Sequence, residues 1–315
     1  MSEIPDIPRS LQELESLRVS VAASLPGQKG VVVEVCLSRP RKLNALGASF
    51  WRDFPLCMRI LDTWAPCRCV LLTGEGAAFC SGIELQYAAS LFQPTEAEPQ
   101  EESGREVNSP AATLADPARR ALHLRRVVAP LQEAISSVEH INKPVLAAIS
   151  GPCIGAGVDL VSSCDVRLAA ADALFSVREV QLAMAPDIGT LQRLPRIVRS
   201  GSWVREVCFS ARFFSAQEAE REGFVSALYP DREALHKAAV ALCLALAEMS
   251  PVALAATKQG LNFARGRPVS ESLEQQLTVS AAMLQTLDIP LAVGMQMQQK
   301  ERGSKRAQMP PFAGL

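Results

Sequence analysis

Gly151-Pro152-Cys153-Ile154-Gly155-Ala156-Gly157-Val158-Asp159 reads as a strand-to-helix junction made of small residues. Lys143-Pro144 and the run Val145-Leu146-Ala147-Ala148-Ile149 precede it, and an apolar helical stretch over residues 158–163 follows it. An aliphatic run bounded by proline and glycine predicts a buried strand. The small-residue turn predicts a backbone that presents bare N–H groups where the helix begins. Two further acids, Glu179 and Asp187, interrupt apolar sequence downstream. Carboxylates beside free backbone donors are what proton transfer next to a stabilised oxyanion requires.

Similar units lie on both sides of this junction. Val31-Val32-Val33-Glu34-Val35-Cys36-Leu37 and Cys69-Val70-Leu71-Leu72-Thr73 predict strands, joined by a helix over residues 48–61. Shorter strands are predicted near 166–168 and 173–175. Strands separated by helices give an α/β fold with a mostly parallel sheet. Residues 191–199, 203–209, 216–222, 232–248, 252–263 and 270–287 all read as helices, with one strand at 224–228. The last third is thus a helical module, suited either to cover the sheet or to pack on neighbouring subunits. The divisions expected are an N-terminal extension over 1–24, a core over 25–229 and a helical region over 230–315. Residues 93–110 are polar and rich in Pro, Ser and Glu, predicting a mobile loop beside the site. The helix expected over 116–139 carries Arg119, Arg120, Arg125 and Arg126 as a solvated face.

A chain of 315 residues with a formal net charge of −1 has a core-sized apolar content and no overall charge suited to nucleic acid. A small-molecule substrate is the expectation. No apolar run is long enough to span a bilayer, and Met1-Ser2-Glu3-Ile4-Pro5-Asp6 lacks the basic and apolar regions of a secretory signal. Nine scattered cysteines include no C-x-x-C, and three histidines stand at no metal-ligand spacing. Reduced core thiols and no bound metal follow.

The stretch Gly74-Glu75-Gly76-Ala77-Ala78-Phe79-Cys80-Ser81-Gly82-Ile83-Glu84-Leu85 is a second glycine-rich strand-to-helix turn, and it presents the N–H of Ile83. Tight turns alone account for either loop. Together, Ile83 and Ala156 supply two donors for one oxygen. Neither loop has the spacing of a dinucleotide or phosphate fingerprint. Singly, each acid has a bland reading: Asp159 as a first-turn helix carboxylate, Glu179 as a solvated residue paired with Arg178, Asp187 as an N-cap or turn residue.

Several unlike motifs in one order identify a resemblance. Arg39-Pro40-Arg41-Lys42-Leu43-Asn44-Ala45-Leu46, Phe79-Cys80-Ser81-Gly82-Ile83-Glu84-Leu85, Cys153 to Leu160, and Asp187-Ile188-Gly189-Thr190-Leu191-Gln192-Arg193-Leu194-Pro195 resemble the crotonase (enoyl-CoA hydratase/isomerase) superfamily. The hydratases of that superfamily have glutamate at the position of Asp159 and glycine at that of Asp187. The Asp159, Glu179, Asp187 pattern resembles its dienoyl-CoA isomerases instead.

The resemblance implies a crotonase-like α/β spiral of β-β-α units with a C-terminal helical region. It implies isomerisation of 3,5-dienoyl-CoA to 2,4-dienoyl-CoA in unsaturated fatty acid oxidation, with Asp159, Glu179 and Asp187 catalytic. By the same resemblance Ile83 and Ala156 are expected to form the oxyanion hole, with Ser81, Gly82 and Gly155 against the substrate. Arg41, Lys42 and Asn44 are expected at the adenine and phosphates of CoA. No metal or redox cofactor is implied, and a homo-oligomer, trimer or hexamer, is. The implied compartment is a peroxisome-like organelle or the mitochondrial matrix, with the cytosol left open. Enoyl-CoA hydration is the alternative activity; a non-catalytic scaffold or RNA-binding relative would show a basic stripe or eroded acids. Three departures stand out: alanine at 156, strained if the position needs a positive φ; Glu84 for the usual aspartate; and the larger residues Gln181 and Met184, with Ala183, between the acids.

Overall fold

Six of the seven residues of Val31–Leu37 are buried, the pattern of a strand covered on both faces. A computed structural model describes residues 5–26, 30–92, 116–301 and 309–315. The loop predicted over 93–110 lies outside the described residues. In chain order the elements that matter are β1 (Leu17–Ser24), β2 (Val31–Leu37), α1 (Ala48–Thr63), β3 (Cys67–Gly74), α2 (Leu85–Phe92), α3 (Pro117–His140), β4 (Val145–Ile149), β5 (Pro152–Ile154), α4 (Ala156–Ser163), β6 (Val166–Ala170) and β7 (Leu174–Ser176). There follow α5 (Thr190–Ile197), α6 (Gly201–Ser210), β8 (Phe214–Ser215), α7 (Ala216–Glu222), β9 (Ala227–Tyr229) and four helices, α8 (Arg232–Ala247), α9 (Pro251–Ala264), α10 (Val269–Met283) and α11 (Asp288–Glu301).

The large sheet has the order β1-β2-β3-β4-β6-β9, parallel except for β1, and a small sheet has the order β5-β7-β8. Twice the chain lays one strand in the large sheet and the next in the small one: β4 then β5 before α4, and β6 then β7. This is the β-β-α spiral expected. Alternate side chains divide the core. Val31, Val33, Val35 and Leu37 pack with Phe50, Phe54, Leu72, Val145 and Val158 on one face of the sheet. Val32, Leu71, Leu146 and Leu168 meet α8 on the other, through the helical stripe Leu235, Ala239, Cys243 and Ala247. α8 therefore seals the sheet of its own chain, while α9 to α11 leave Leu261, Leu273, Leu277, Leu284 and Leu287 exposed.

Some expectations shift. Residues 17–24, set outside the core by the sequence reading, form an antiparallel edge strand paired with β2. Their faces are only part-buried, so the apolar signal was weak. The strand expected at 224–228 is Ala227–Tyr229, because Phe224 and Val225 enter the core from the turn after Gly223, whose φ of 85° ends α7. All nine cysteines are buried and free.

Candidate active site

Cys80 joins the two glycine turns. Its N–H donates to Pro152 O (3.0 Å) and its carbonyl accepts from Ile154 N (2.9 Å), while Gly82 N–H points to Cys80 Sγ (3.4 Å). A Cβ on Gly157 would lie 3.0 Å from that of Cys80, so glycine is what lets α4 approach. On the far side of the first turn, Leu46 N donates to Gly82 O (2.8 Å) and Glu84 N donates to Leu46 O (3.0 Å). Since residues 82 and 84 face Leu46, the intervening N–H of Ile83 faces away, into the cleft. Ala156 is the first residue of α4, where an N–H has no intrahelical acceptor. The two loops are in contact: a Cβ on Gly82 would stand 3.8 Å from Ala156 N. The positive φ required here falls on Gly155 (51°) and Gly82 (97°), not on Ala156. Alanine at 156 is unstrained.

These donors open onto a cleft of about 570 Å³ lined by Ile83, Ala156, Glu179, Asp187 and apolar residues of α2 and α3, among them Leu91, Val128 and Leu131. Leu182, Met184 and Ile188 add to the apolar wall. Glu179 begins a short 3₁₀ turn, Glu179–Leu182, and its Oε1 lies 3.5 Å from where a Cβ on Gly155 would be. The bland alternative of a pairing with Arg178 is not found, since that guanidinium lies over the Phe213 ring at 4.9 Å. Asp187 is exposed on the wall of the cleft and is not an N-cap; Gly189 takes that place on α5.

Asp159 does not reach the wall. It is fully buried on α4 behind Glu179, and its Oδ1 accepts from Thr190 N–H at 2.5 Å. Asp159 Oδ2 and Glu179 Oε2 are buried without a hydrogen-bond partner among the described residues, and the two carboxyls are within bonding reach of each other. One proton between them satisfies both orphaned oxygens. Burial pushes Asp159 up to about 6, against the lowering pull of the Thr190 hydrogen bond and Arg193. Burial first, and then the Asp159 charge, pushes Glu179 up to about 8. Partial desolvation raises Asp187 from the ordinary aspartate value. The three acids thus hold a proton at neutral pH that isolated carboxyls would have lost.

Other expected residues divide. Ser81, Gly82, Gly155 and Lys42 line the cleft, whereas Arg41 is exposed and does not. Asn44 is 2 % exposed and fully committed: it accepts from Arg39 N and donates to Glu75 O and Ala78 O. It pins the loop from inside and is not open to a CoA phosphate. Glu84, the departure from the usual aspartate, is paired with Arg39 (2.9 Å) and Lys42 (3.5 Å). Among the described residues no cluster of His, Cys, Asp and Glu is arranged to hold a metal ion. Sequence reasoning missed Thr190, the hydrogen-bond partner of Asp159, and Cys80, the link between the loops; both are ordinary core residues with no chemical signature.

A parallel-sheet spiral with paired backbone donors and carboxyls on one cleft defines a class, and the chain belongs to the enoyl-CoA hydratase/isomerase family, which residues 109–305 match. Over 302 residues, 96% of this chain and 83% of the relative, it is 39% identical to a human protein named Delta(3,5)-Delta(2,4)-dienoyl-CoA isomerase, mitochondrial. A peroxisomal protein of the same name from Arabidopsis thaliana is 35% identical over 93% of this chain and 96% of its own. Among solved structures, an enoyl-CoA hydratase from Bacillus anthracis superposes with a TM-score of 0.74 at 25% identity, covering 96% of this chain and all of that one. One from Thermobifida fusca, described as a putative enoyl-CoA hydratase in complex with acetoacetyl-CoA, has a TM-score of 0.67 at 28% identity, covering 87% and 96%. No single helix among the described residues is long and apolar enough to cross a membrane.

Proposed function

We propose that this protein isomerises 3,5-dienoyl-CoA to 2,4-dienoyl-CoA in the oxidation of unsaturated fatty acids. The observation that carries the reading is Asp187 on the same apolar wall as Glu179, giving the cleft two carboxyls where one would serve a single proton exchange. Moving a conjugated diene along the chain needs a proton taken from C2 and one delivered to C6. A thioester oxygen held between the N–H groups of Ile83 and Ala156 puts C2 beside the Gly155 turn, and Glu179 is the acid against that turn. Glu179 takes the C2 proton, the C2–H electrons pass through C1 onto the thioester oxygen, and the two donors stabilise the dienolate, whose charge the conjugated double bonds extend to C6. One such donor is typically worth about 3 kcal/mol. Collapse of the dienolate takes a proton at C6 from Asp187. Glu179 has gained the proton that Asp187 has lost, so transfer of one proton between the acids restores the start. Asp159, behind Glu179, tunes its basicity and never touches substrate.

The productive form has one proton in the set, so activity follows a bell with limbs near about 6 and about 8. Arg41 and Lys42 are the cations proposed for the CoA phosphates. The exposed leucines of α10 and α11 are the proposed surface of self-association into a trimer or hexamer. The deciding test offers purified protein a 3,5-dienoyl-CoA and, separately, a 2-enoyl-CoA. Diene conjugation read by ultraviolet absorbance should greatly exceed hydration; comparable rates would overturn the assignment in favour of a hydratase.

A further inference from the structure

We infer that Arg193, braced by Glu139, is a positioning residue that holds the Asp187–Gly189 turn against the cleft and so sets the reach of Asp187. The inference rests on the proposed role of Asp187 and extends it to residues that touch no substrate.

The turn enters the core at Ile188, which is 7% exposed, while Asp187 beside it is exposed. On its far side lies a second cavity of about 530 Å³, lined by Gln132, Ser136, Glu139, Arg193, Arg196 and Arg265 among others. Asp187 and Ile188 line both cavities, which makes this stretch a partition between them. Flanked by two cavities, its backbone is held by directed bonds as well as by the packing of Ile188. Gln132 Nε2 donates to Asp187 O at 2.6 Å. Arg193, in the first turn of α5, folds back so that Nη1 lies 3.4 Å from Ile188 O. Its guanidinium fills the space that a side chain on Gly189 would occupy, and Gly189 has a φ of 141°. Thr190 N–H is tied to Asp159 on the other side.

The anchor for Arg193 is α3. Nε donates to Glu139 Oε2 at 3.0 Å and Nη2 to Ser136 Oγ at 3.0 Å. Gln132, Ser136 and Glu139 are spaced to lie on one helix face, so three successive turns of α3 grip one short peptide. The Arg193 and Glu139 side chains are only 12% and 16% exposed. Glu139 is also paired with Arg265 at the end of α9, and Asn262 Nδ2 donates to Glu139 O at 3.1 Å. The position of the third acid is thereby linked to the C-terminal helices. A planar fork is needed: lysine in place of Arg193 keeps the charge and loses the parallel contacts to Glu139 and Ser136.

Arg193→Lys and the near-isosteric Glu139→Gln test this in the full-length protein, alone and combined with Asp187→Asn. Turnover of a 3,5-dienoyl-CoA, its KM, and exchange of the C2 hydrogens with D2O are measured, alongside thermal unfolding. Displacement of a reacting group by about 1 Å costs on the order of 100-fold. The expected result is a kcat loss of roughly 10- to 100-fold with KM changed by less than about threefold and C2 exchange retained. In the Asp187→Asn background neither second substitution should lower turnover further. Losses that multiply in the double variants, C2 exchange that falls in step with kcat, unchanged kcat, or failure of both single variants to fold would each overturn the inference. If Asp187→Asn itself turns over normally, it is the role of Asp187 that fails, a result distinct from any outcome for Arg193.

Discussion

Replacing Asp159 by asparagine separates charge from shape at the deepest acid of the site. Asparagine Oδ1 still accepts the Thr190 N–H, so the α4 to α5 contact survives. What disappears is a negative charge within hydrogen-bonding reach of Glu179. Two unit charges about 4 Å apart interact by about 4 kcal/mol at an effective dielectric near 20, an upper scale equivalent to about 3 pH units. Burial is the larger cause of the Glu179 rise and is untouched by the substitution. A fall of about one to two units is therefore expected, helped by a new Nδ2–H that donates to the ionised Glu179. The alkaline limb of kcat/KM should move down from about 8 by that amount. A weaker base also slows C2 deprotonation, by about tenfold.

Stability supplies an independent reading of the same change. A carboxyl whose native pKa lies above its unfolded value makes the native state bind more protons between the two. Stability is then complete below the unfolded value, about 4, and is lost as pH rises to the native value, about 8 for Glu179. Asp159→Asn lowers the native value and so flattens that loss. Relative to the parent, the variant should gain on the order of 1 to 3 kcal/mol in urea unfolding between pH 5 and pH 9. An alkaline limb that stays at about 8 or moves upward would refute the coupling between Asp159 and Glu179.

Three further outcomes follow from the geometry. Asp187→Asn should cost about 10²- to 10⁴-fold in isomerase turnover while leaving acyl-CoA affinity, measured by calorimetry, nearly unchanged; near-parental turnover would remove Asp187 from the chemistry. Ala156→Pro deletes the oxyanion N–H at a first-turn position that tolerates proline, so kcat should fall about 10²- to 10³-fold in a folded protein, whereas Ala156→Gly should stay within a few-fold; an active proline variant would remove Ala156 from the oxyanion hole. Leu277→Asp with Leu284→Asp should lower the sedimenting mass to that of a single chain, and unchanged assembly would place the contact elsewhere than on α10.

The legible parts of the fold are those where a residue's burial shows in its immediate neighbours. β2 and β4 are covered on both faces, and their sequences are apolar runs, broken in β2 only by Glu34, that need no alternation to be recognised. β1 is an edge strand with mixed exposure, and Arg18, Ser20 and Ser24 dilute its pattern below recognition. Phe224 and Val225 were legible as core but not as turn, because hydrophobicity reports burial and not backbone conformation.

The site divides along the same line. Asp159 and Glu179 were visible because a carboxyl in apolar surroundings is costly, and the cost marks a use. Asn44 misled for the converse reason: beside Arg41 and Lys42 it looked like an accessible polar residue, yet one hydrogen bond to its own loop and two to the glycine-rich loop after β3 consume it. The strain feared at Ala156 fell one residue earlier, on Gly155, since the turn must finish before the helix starts. Gln132 gave no signal, and Arg193 stood in a motif of the resemblance without showing its role. Each looks like an ordinary helix-surface residue, and its function exists only because the fold brings α3 against a turn more than fifty residues away. Groups that do the chemistry betray themselves by what they cost locally, whereas groups that aim them are defined by tertiary contact alone. It is on that second set, at Arg193 and Glu139, that the geometry of the third acid depends.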